Sequence, residues 1–322
     1  MKKIVVLTSG GDAPGMNAAI RSVVRTALHY NIEVFGCKHG YKGLVDQELI
    51  PMNRLSVANT IQMGGTVLKT NRCEGFYKQD VRMKAARFLA DQKIDGLIVV
   101  GGDGSFRGAS KLRADGGPPV IGIPATIDND IFGTDYTIGF DTARNTALQA
   151  IDRIRDTASS HDRDFMIEVM GRNTGFLAVE VGIAGGAEFI LIPEFDLPIE
   201  RLAERVKNLS KHKPTSIIVV AEGDKPGRSM EIAEQLGKLT DKFYKVCILG
   251  HTQRGGSPTA MDRKYAAMMG YKAVHALIDG ESDKMTAIHR ARIELAPFPD
   301  PEKDFRRFDD EELIKMNVVI CH

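Results

Sequence analysis

Short apolar runs rich in valine and isoleucine recur along the chain, at residues 4–7, 97–100, 120–123, 165–170, 189–192, 216–221 and 246–249. They lack the alternation of apolar and polar positions that marks a half-buried strand. They read instead as strands covered on both faces of a parallel sheet. Between them lie amphipathic stretches that a 3.6-residue period predicts as helices, at roughly 15–29, 79–92, 104–114, 141–160, 173–186, 198–212, 229–240 and 260–279. In the first of these, Ile20, Val23, Val24, Ala27 and Leu28 form the inner stripe. Strand and helix taken in turn predict an α/β fold, doubly wound, with mostly parallel sheets. Gly116-Gly117-Pro118-Pro119 reads as a tight loop, and the glycine-bearing stretches 133–140 and 250–257 as crossings between domains. Beyond about residue 281 no pattern is strong, and no fixed-period repeat is present.

At 322 residues, and roughly 100–200 residues per domain, the chain has room for two domains. Its 43 basic and 42 acidic residues nearly cancel, which argues against a nucleic-acid protein built on a bulk basic face. No apolar run is long enough to span a bilayer. The run after Met1-Lys2-Lys3 stops at Thr8, too short for a secretory signal. Cys37, Cys73, Cys247 and Cys321 are scattered without a Cys-x-x-Cys pair. That fits reduced thiols in a cytosolic protein better than a disulfide frame or a zinc site.

Candidate chemistry gathers where apolar runs end. Glycine and then aspartate follow a strand at Gly10-Gly11-Asp12, at Gly101-Gly102-Asp103 and at Gly223-Asp224. Ligands of open parallel sheets bind at such carboxyl ends. In Gly101-Gly102-Asp103-Gly104-Ser105 the glycines let backbone N–H groups approach an anion, and the next helix presents its positive end. A carboxylate there repels a phosphate unless a cation lies between them, so Asp103 suggests Mg²⁺ carried on a nucleotide. The structural alternative is a tight turn with Asp103 or Ser105 capping the helix. Thr126-Ile127-Asp128-Asn129-Asp130 offers two carboxylates that can divide proton transfer and metal binding between them. An Asx turn explains the same residues without chemistry. Met170-Gly171-Arg172 with Arg163 upstream, Glu222, and His251-Thr252-Gln253-Arg254 with Lys245 before it also fall at strand ends. Guanidinium for phosphate, and imidazole and carboxylate for hydroxyls, fit a phosphorylated polyol. Arg21 and Arg25 are a like-charged i, i+4 pair that a nearby anion would relieve.

These segments, together with Thr8-Ser9-Gly10-Gly11-Asp12-Ala13-Pro14-Gly15-Met16-Asn17 and the stretch 250–258, resemble the bacterial-type ATP-dependent 6-phosphofructokinase family over roughly residues 1–280. The resemblance implies two doubly wound α/β domains with the active site in the cleft between them: 1–138 plus 251–300 for ATP, and 139–250 plus 301–322 for fructose 6-phosphate. It implies MgATP binding at Gly11, Arg72, Cys73, Gly102, Asp103, Gly104 and Ser105, with Asp103 on the metal. Asp128 would accept the proton of the sugar 1-hydroxyl, with Thr126, Asp130 and Arg172 beside it. Fructose 6-phosphate would meet Thr126, Ile127, Asp128, Arg163, Met170, Gly171, Arg172, Glu222, Lys245, His251, Thr252, Gln253 and Arg254. Arg163 and Lys245 would reach in from a neighbouring subunit of a cytoplasmic homotetramer. Arg21, Arg25, Arg155, Gly186, Ala187, Glu188, Lys211, Lys213, Pro214 and Thr215 match an effector site for ADP or phosphoenolpyruvate.

The chain departs from the pattern at Lys245, usually arginine, at Ala125, usually glycine, and at Lys213-Pro214-Thr215, usually more basic. Pyrophosphate-dependent relatives tend to carry lysine at the position of Ala125 and aspartate at that of Gly104, so both residues favour ATP. A pyrophosphate-dependent kinase and a non-catalytic sugar-phosphate or nucleotide sensor are the rival readings. A dinucleotide oxidoreductase conflicts with the acidic residue in the glycine loop.

Overall fold

A computed structural model of the chain describes every residue but Asp224, Lys225 and His322. The chain separates into two compact units. One comprises Met1–Thr126, Ile131–Thr142 and Arg254–Arg306, the other Ile127–Asp130, Ala143–Gln253 and Arg307–His322. The first unit opens with β1 (Lys3–Ser9), α1 (Met16–His29), β2 (Glu33–Cys37), α2 (Tyr41–Val45) and β3 (Leu49–Met52). It continues through α3 (Gln79–Asp91), β4 (Gly96–Gly101), α4 (Asp103–Ala114) and β5 (Val120–Pro124). The second holds most of α5 (Phe140–His161), then β6 (Asp164–Val169), α6 (Phe176–Ala184), β7 (Phe189–Leu191) and α7 (Ile199–Leu209). β8 (Ile217–Ala221), α8 (Arg228–Thr240) and β9 (Tyr244–Ile248) complete its middle part. The first unit resumes with α9 (Ala260–Ile278), β10 (Lys284–His289) and β11 (Arg292–Pro297), and α10 (Glu311–Cys321) ends the second.

The first sheet has the order β11-β10-β5-β4-β1-β2-β3. Its five inner strands run parallel, and only the margins β3 and β11 are antiparallel. The run Ile4, Val5, Val6, Leu7 and the run Leu97, Ile98, Val99, Val100 expose no surface. This is the burial that their unbroken apolar pattern predicts. α1 lies close along α9 because residue 270 is glycine: a Cβ there would stand 2.8 Å from the Ala19 carbonyl oxygen. Ser22 Oγ–H donates to the Ala267 carbonyl across the same contact at 2.6 Å. α4 stops at the predicted glycine loop, where Gly116 takes a left-handed φ of 97°. There Gly117 N–H reaches back to the Leu112 carbonyl at 2.9 Å and Gly116 N–H to that of Arg113 at 3.1 Å.

Asp262, in the first turn of α9, is fully buried. It gathers the loop before α5, accepting hydrogen bonds from Tyr136 O–H at 2.9 Å, Gly139 N–H at 2.8 Å and Thr142 N–H at 2.9 Å. The Thr142 hydroxyl donates to the same carboxylate.

The second sheet is parallel throughout, in the order β7-β8-β6-β9. β8 is buried along its whole length. β9 is an edge strand with Lys245 and Ile248 exposed, so the run 246–249 is not covered on both faces as the sequence predicts. The region beyond 281, patternless in sequence, forms β10, β11 and α10. Asn317 of α10 donates from Nδ2 to the Ala187 carbonyl at 2.9 Å. No helix among the described residues is long and apolar enough to cross a membrane.

Candidate active site

In the first unit β1, β4 and β5 end level with one another, Ser9 opposite Gly101 and Gly101 opposite Pro124. The residues that follow each strand therefore emerge side by side: Gly10-Gly11-Asp12, Gly102-Asp103-Gly104-Ser105 and Ala125-Thr126. Close packing of glycine backbone makes this possible. A Cβ on Gly101 would meet the Ser9 carbonyl oxygen at 2.4 Å and Ser105 Oγ at 2.6 Å. Ala125 N–H donates to the Gly101 carbonyl at 2.9 Å, and Thr137 Oγ1–H to that of Thr126 at 2.7 Å.

Asp103 is the first residue of α4, and Gly102 is the N-cap, without a side-chain capping bond. The capping alternative for Asp103 or Ser105 therefore does not hold. The Asp103 carboxylate is part-exposed and lies 2.6 Å from Arg107 one turn on. An exposed pair of this kind contributes little to stability, about 0.3–0.5 kcal/mol. Beside it, a Cβ on Gly104 would touch no protein atom within 4 Å, and one on Gly102 only Thr126 at 3.9 Å. Among the described residues no group of three or more histidine, cysteine or acidic side chains could cage a metal. A single carboxylate beside open space fits Mg²⁺ that keeps its waters and arrives on phosphates. Asp103 is the residue that would hold it.

A segment that the sequence left without an element borders this loop. Thr8 Oγ1–H donates to the Lys69 carbonyl and Thr70 Oγ1–H to that of Gly10, both at 2.8 Å. The segment leads to exposed Arg72 and part-buried Cys73. Tyr41 stacks on Phe76 with ring centroids 4.2 Å apart and donates its hydroxyl to the Ser105 carbonyl. Burial pushes that phenol far above its ordinary pKa. Thr70 and Tyr41 thus position the loop, and neither carries a sequence signal of its own. Asp12 accepts from Thr66 N–H at 3.4 Å. Burial pushes its carboxyl above the ordinary value, opposed by the Thr66 and Ala13 N–H groups and the Arg254 charge. Arg254 Nη1 lies 2.7 Å from where a Cβ of residue 11 would be. Gly11 therefore leaves room for a guanidinium as well as for an anion.

In the second unit β6, β8 and β9 also end together, Val169 opposite Ala221 and Glu168 opposite Ile248. Met170-Gly171-Arg172, Glu222 and the turn through His251, Thr252 and Gln253 follow from them. Met170 N–H donates to buried Gln253 Oε1 at 2.9 Å, and Glu222 N–H to the Val169 carbonyl at 2.9 Å. Thr174, which the sequence reading missed, links two segments. Its hydroxyl lies 2.9 Å from the Gly171 carbonyl and 3.4 Å from that of Asp128. Ile127, Asp128 and Asn129 are buried and Asp130 is part-buried. Asn129 and Arg172 both hold a left-handed φ, 53° and 52°. For a residue other than glycine this conformation is uncommon, and it recurs at functional sites.

Arg163 and Lys245 stand apart from the other groups of this unit. Arg163 precedes β6, and Lys245 pairs with Phe165 near its start. They sit at the amino ends of their strands, roughly 15 Å along the sheet from the turns at 170 and 249. Both are exposed, and Lys245 Nζ stands 4.8 Å above the Phe243 ring. The Gly223-Asp224 recurrence falls partly outside the described residues.

A separate basic cluster surrounds buried Glu188. Arg155 Nη1 is 3.5 Å from its carboxylate, Lys213 Nζ contacts the same oxygen, and Ile217 N–H donates to the other at 2.6 Å. Arg155 Nη2 also donates to the Gly185 and Gly186 carbonyls at 2.7 and 2.6 Å. Ala187 adjoins Glu188, while exposed Lys211 is held by Asn208 at 3.0 Å. Pro214 and Thr215 follow Lys213. Arg21 and Arg25 lie half-buried on α1 in the first unit. Burial, and then the Arg25 charge, lower the Arg21 pKa. Arg25 Nε is buried without a hydrogen-bond partner among the described residues.

Residues 3–277 match the family model described as phosphofructokinase. A Coxiella burnetii protein named ATP-dependent 6-phosphofructokinase is 58% identical over 100% of this chain and 98% of its own length. One from Thermus thermophilus, named ATP-dependent 6-phosphofructokinase 1, is 50% identical with both chains fully covered. Among solved structures, a phosphofructokinase from Saccharomyces cerevisiae superposes on 99% of the chain with a TM-score of 0.86 and 33% identity. This chain spans only 45% of that longer one. A pyrophosphate-dependent phosphofructokinase from Marinobacter aquaeolei, 22% identical with a TM-score of 0.85 over 99% of this chain and 92% of its own, shares the fold. With two sets of level strand ends, a glycine loop bearing a metal-competent aspartate and this match over most of its length, the chain belongs to the phosphofructokinase family.

Proposed function

We propose that the chain transfers the γ-phosphoryl group of ATP to the 1-hydroxyl of fructose 6-phosphate, yielding fructose 1,6-bisphosphate and ADP. The observation that carries the reading is the Cβ-free surface beside Asp103, in a chain 58% identical to a protein named for this activity. Mg²⁺, bound with the nucleotide, would supply charge neutralisation of the phosphates. Phosphoryl transfer has a loose transition state, so the chain's own contribution is position and charge. The glycine-loop N–H groups and Arg72 hold the nucleotide phosphates, and Cys73 lines its seat. Asp128 takes the proton from the attacking hydroxyl, held in place through its own backbone by Thr174. Arg172 offers its guanidinium to the migrating group. Thr126 and Asp130 flank Asp128, while Met170, Glu222, His251 and Arg254 orient the sugar.

In this reading Arg163 and Lys245 serve the site of a neighbouring chain within a cytoplasmic homotetramer. Their position at the far strand ends supports that role. The Glu188 cluster, with Arg21 and Arg25, takes ADP or phosphoenolpyruvate as effector. The deciding experiment is a coupled assay of fructose 6-phosphate with MgATP or with pyrophosphate. Turnover with MgATP is expected, and turnover with pyrophosphate alone would replace this reading by the pyrophosphate-dependent one.

A further inference from the structure

The second unit holds a cavity of about 430 Å³ between β7, α7 and α10 that the proposed chemistry does not use. Small-molecule sites commonly enclose about 300–1,000 Å³, so this one is large enough to take a ligand. β7 is a margin of the second sheet, which leaves its outer side to helices. Phe189 and Leu191 pack with Leu202 and Val206 of α7 in the core of this unit, and part-buried Leu197 joins them. α10 arrives from the segment beyond 281 that no sequence pattern explained. Its buried Asn317 holds it to the start of β7, donating to the Ala187 carbonyl at 2.9 Å and accepting from Cys321 Sγ at 3.6 Å. Both polar ends of that side chain are therefore engaged. Part-buried Ile314 and Val318, one turn apart on α10, complete the apolar walls.

Charge stands at the rim, where Arg201, Arg205, Lys315, Asp196 and Glu311 are all exposed. Lys315 Nζ pairs with Glu311 at 3.3 Å. Arg201 and Arg205 lie one turn apart on α7, each next to a residue of its buried stripe, Leu202 and Val206. Among the described residues neither guanidinium has a side-chain hydrogen bond or an ion pair. Glu188 also borders the cavity, but its carboxylate is taken up by Arg155, Lys213 and Ile217 N–H. The cavity and the Glu188 cluster thus offer a ligand different groups.

We infer that this cavity binds a monocarboxylate with an apolar body, of which octanoate is a simple example. The carboxylate meets Arg201 and Arg205, since the guanidinium fork matches two carboxylate oxygens and an anion relieves the like-charged pair. The hydrocarbon enters between α7 and α10, against Leu191, Leu197, Ile314 and Val318. Such walls give sugar hydroxyls or a nucleobase no partner for the hydrogen bonds they would lose. Asp196 and Glu311 at the rim repel an anion of higher charge, such as a polyphosphate. The site goes beyond the kinase reading and uses none of the residues assigned there to sugar or nucleotide.

The test is isothermal titration calorimetry of the intact protein with octanoate, hexanoate and octanol. One octanoate per chain is expected. It should bind about tenfold or more tightly than hexanoate, because each buried methylene contributes about fourfold. Arg201→Gln combined with Arg205→Gln should weaken octanoate about tenfold and leave octanol unchanged, since only the acid uses the guanidiniums. Val318→Phe, which fills the cavity with a larger side chain, should weaken both. ADP should not displace octanoate. No binding of octanoate, or equal binding of octanoate and hexanoate, overturns the proposal, and so does octanoate binding that the paired arginine substitutions leave intact. Displacement by ADP would merge the cavity with the Glu188 cluster and overturn it as well.

Discussion

A carboxylate that receives a proton during group transfer acts in the transition state and little in the ground state. Asp128→Asn keeps the shape of the buried 127–130 segment and its backbone bond to Thr174 while removing the base. We expect kcat to fall by about 10²–10⁴, with the sugar KM within roughly threefold of the starting value. Steady-state kinetics at saturating MgATP checks this, and an unaltered kcat would remove Asp128 from the role. Gly11 invites a subtler test. Its φ is not left-handed, so alanine there is strained only by Arg254, whose Nη1 would lie 2.7 Å from the new Cβ. Displacing that guanidinium should raise the KM for fructose 6-phosphate about tenfold, more than the KM for ATP. A change confined to ATP would show that Arg254 yields freely.

At the scale of elements, Asp262 joins the start of α9 to the loop preceding α5. Removing its charge leaves four donors with a poorer acceptor, and Asp262→Asn should cost about 1–3 kcal/mol. The penalty depends on pH in a definite direction. Burial raises the Asp262 pKa in the folded protein above its ordinary value of 3.8. Such a group lends its full stability below the unfolded pKa and loses it as pH rises through the folded one. Asparagine does not titrate. The gap between the two proteins should therefore narrow as pH rises above about 4, as read by denaturant midpoints. A gap that widens would contradict the raised pKa.

The inner strands β1, β4, β5, β6 and β8 and the helices α1 and α3–α9 were legible in sequence because burial on both faces, or on one stripe, writes an unmixed pattern. β2, β3, β10 and β11 were not. Gly36 and Pro51 interrupt the first pair, and β11 mixes exposed Arg292, Glu294 and Pro297 with part-covered Ile293 and Leu295 and buried Ala296. The glycine loops could be read because their composition is unusual. Thr70, Tyr41 and Thr174 could not, since a threonine hydroxyl or a buried phenol finds its partner only through tertiary contact. Arg163 and Lys245 were recognised as candidate ligands, and it was the family resemblance, not the strands, that assigned them to a neighbouring subunit. Nothing in a strand's composition says which end a charged neighbour occupies.

At the scale of the whole molecule, groups at opposite ends of one sheet cannot serve one substrate within a chain, so the shared-site reading makes a sharp prediction. A chain carrying Asp128→Asn and a chain carrying Arg163→Ala with Lys245→Ala should each be nearly inactive at low sugar concentration. Mixed and reassembled, they should recover activity, because some sites then draw every group from an intact source. Recovery to about a quarter of the unmodified rate is the ceiling for random pairing, and no recovery would assign both basic residues to their own chain. The open margin of the smaller sheet gives Lys245 a further duty. The larger sheet is terminated at both sides by reversed strands, one bearing Pro51 and the other ending in Pro297. β9 has neither device and presents bare backbone next to Phe243, which is 74% exposed. A cation near the start of such a strand is a gatekeeper that keeps stray chains from zipping onto it. Neutralising it should expose newly made protein to misassembly even where catalysis survives.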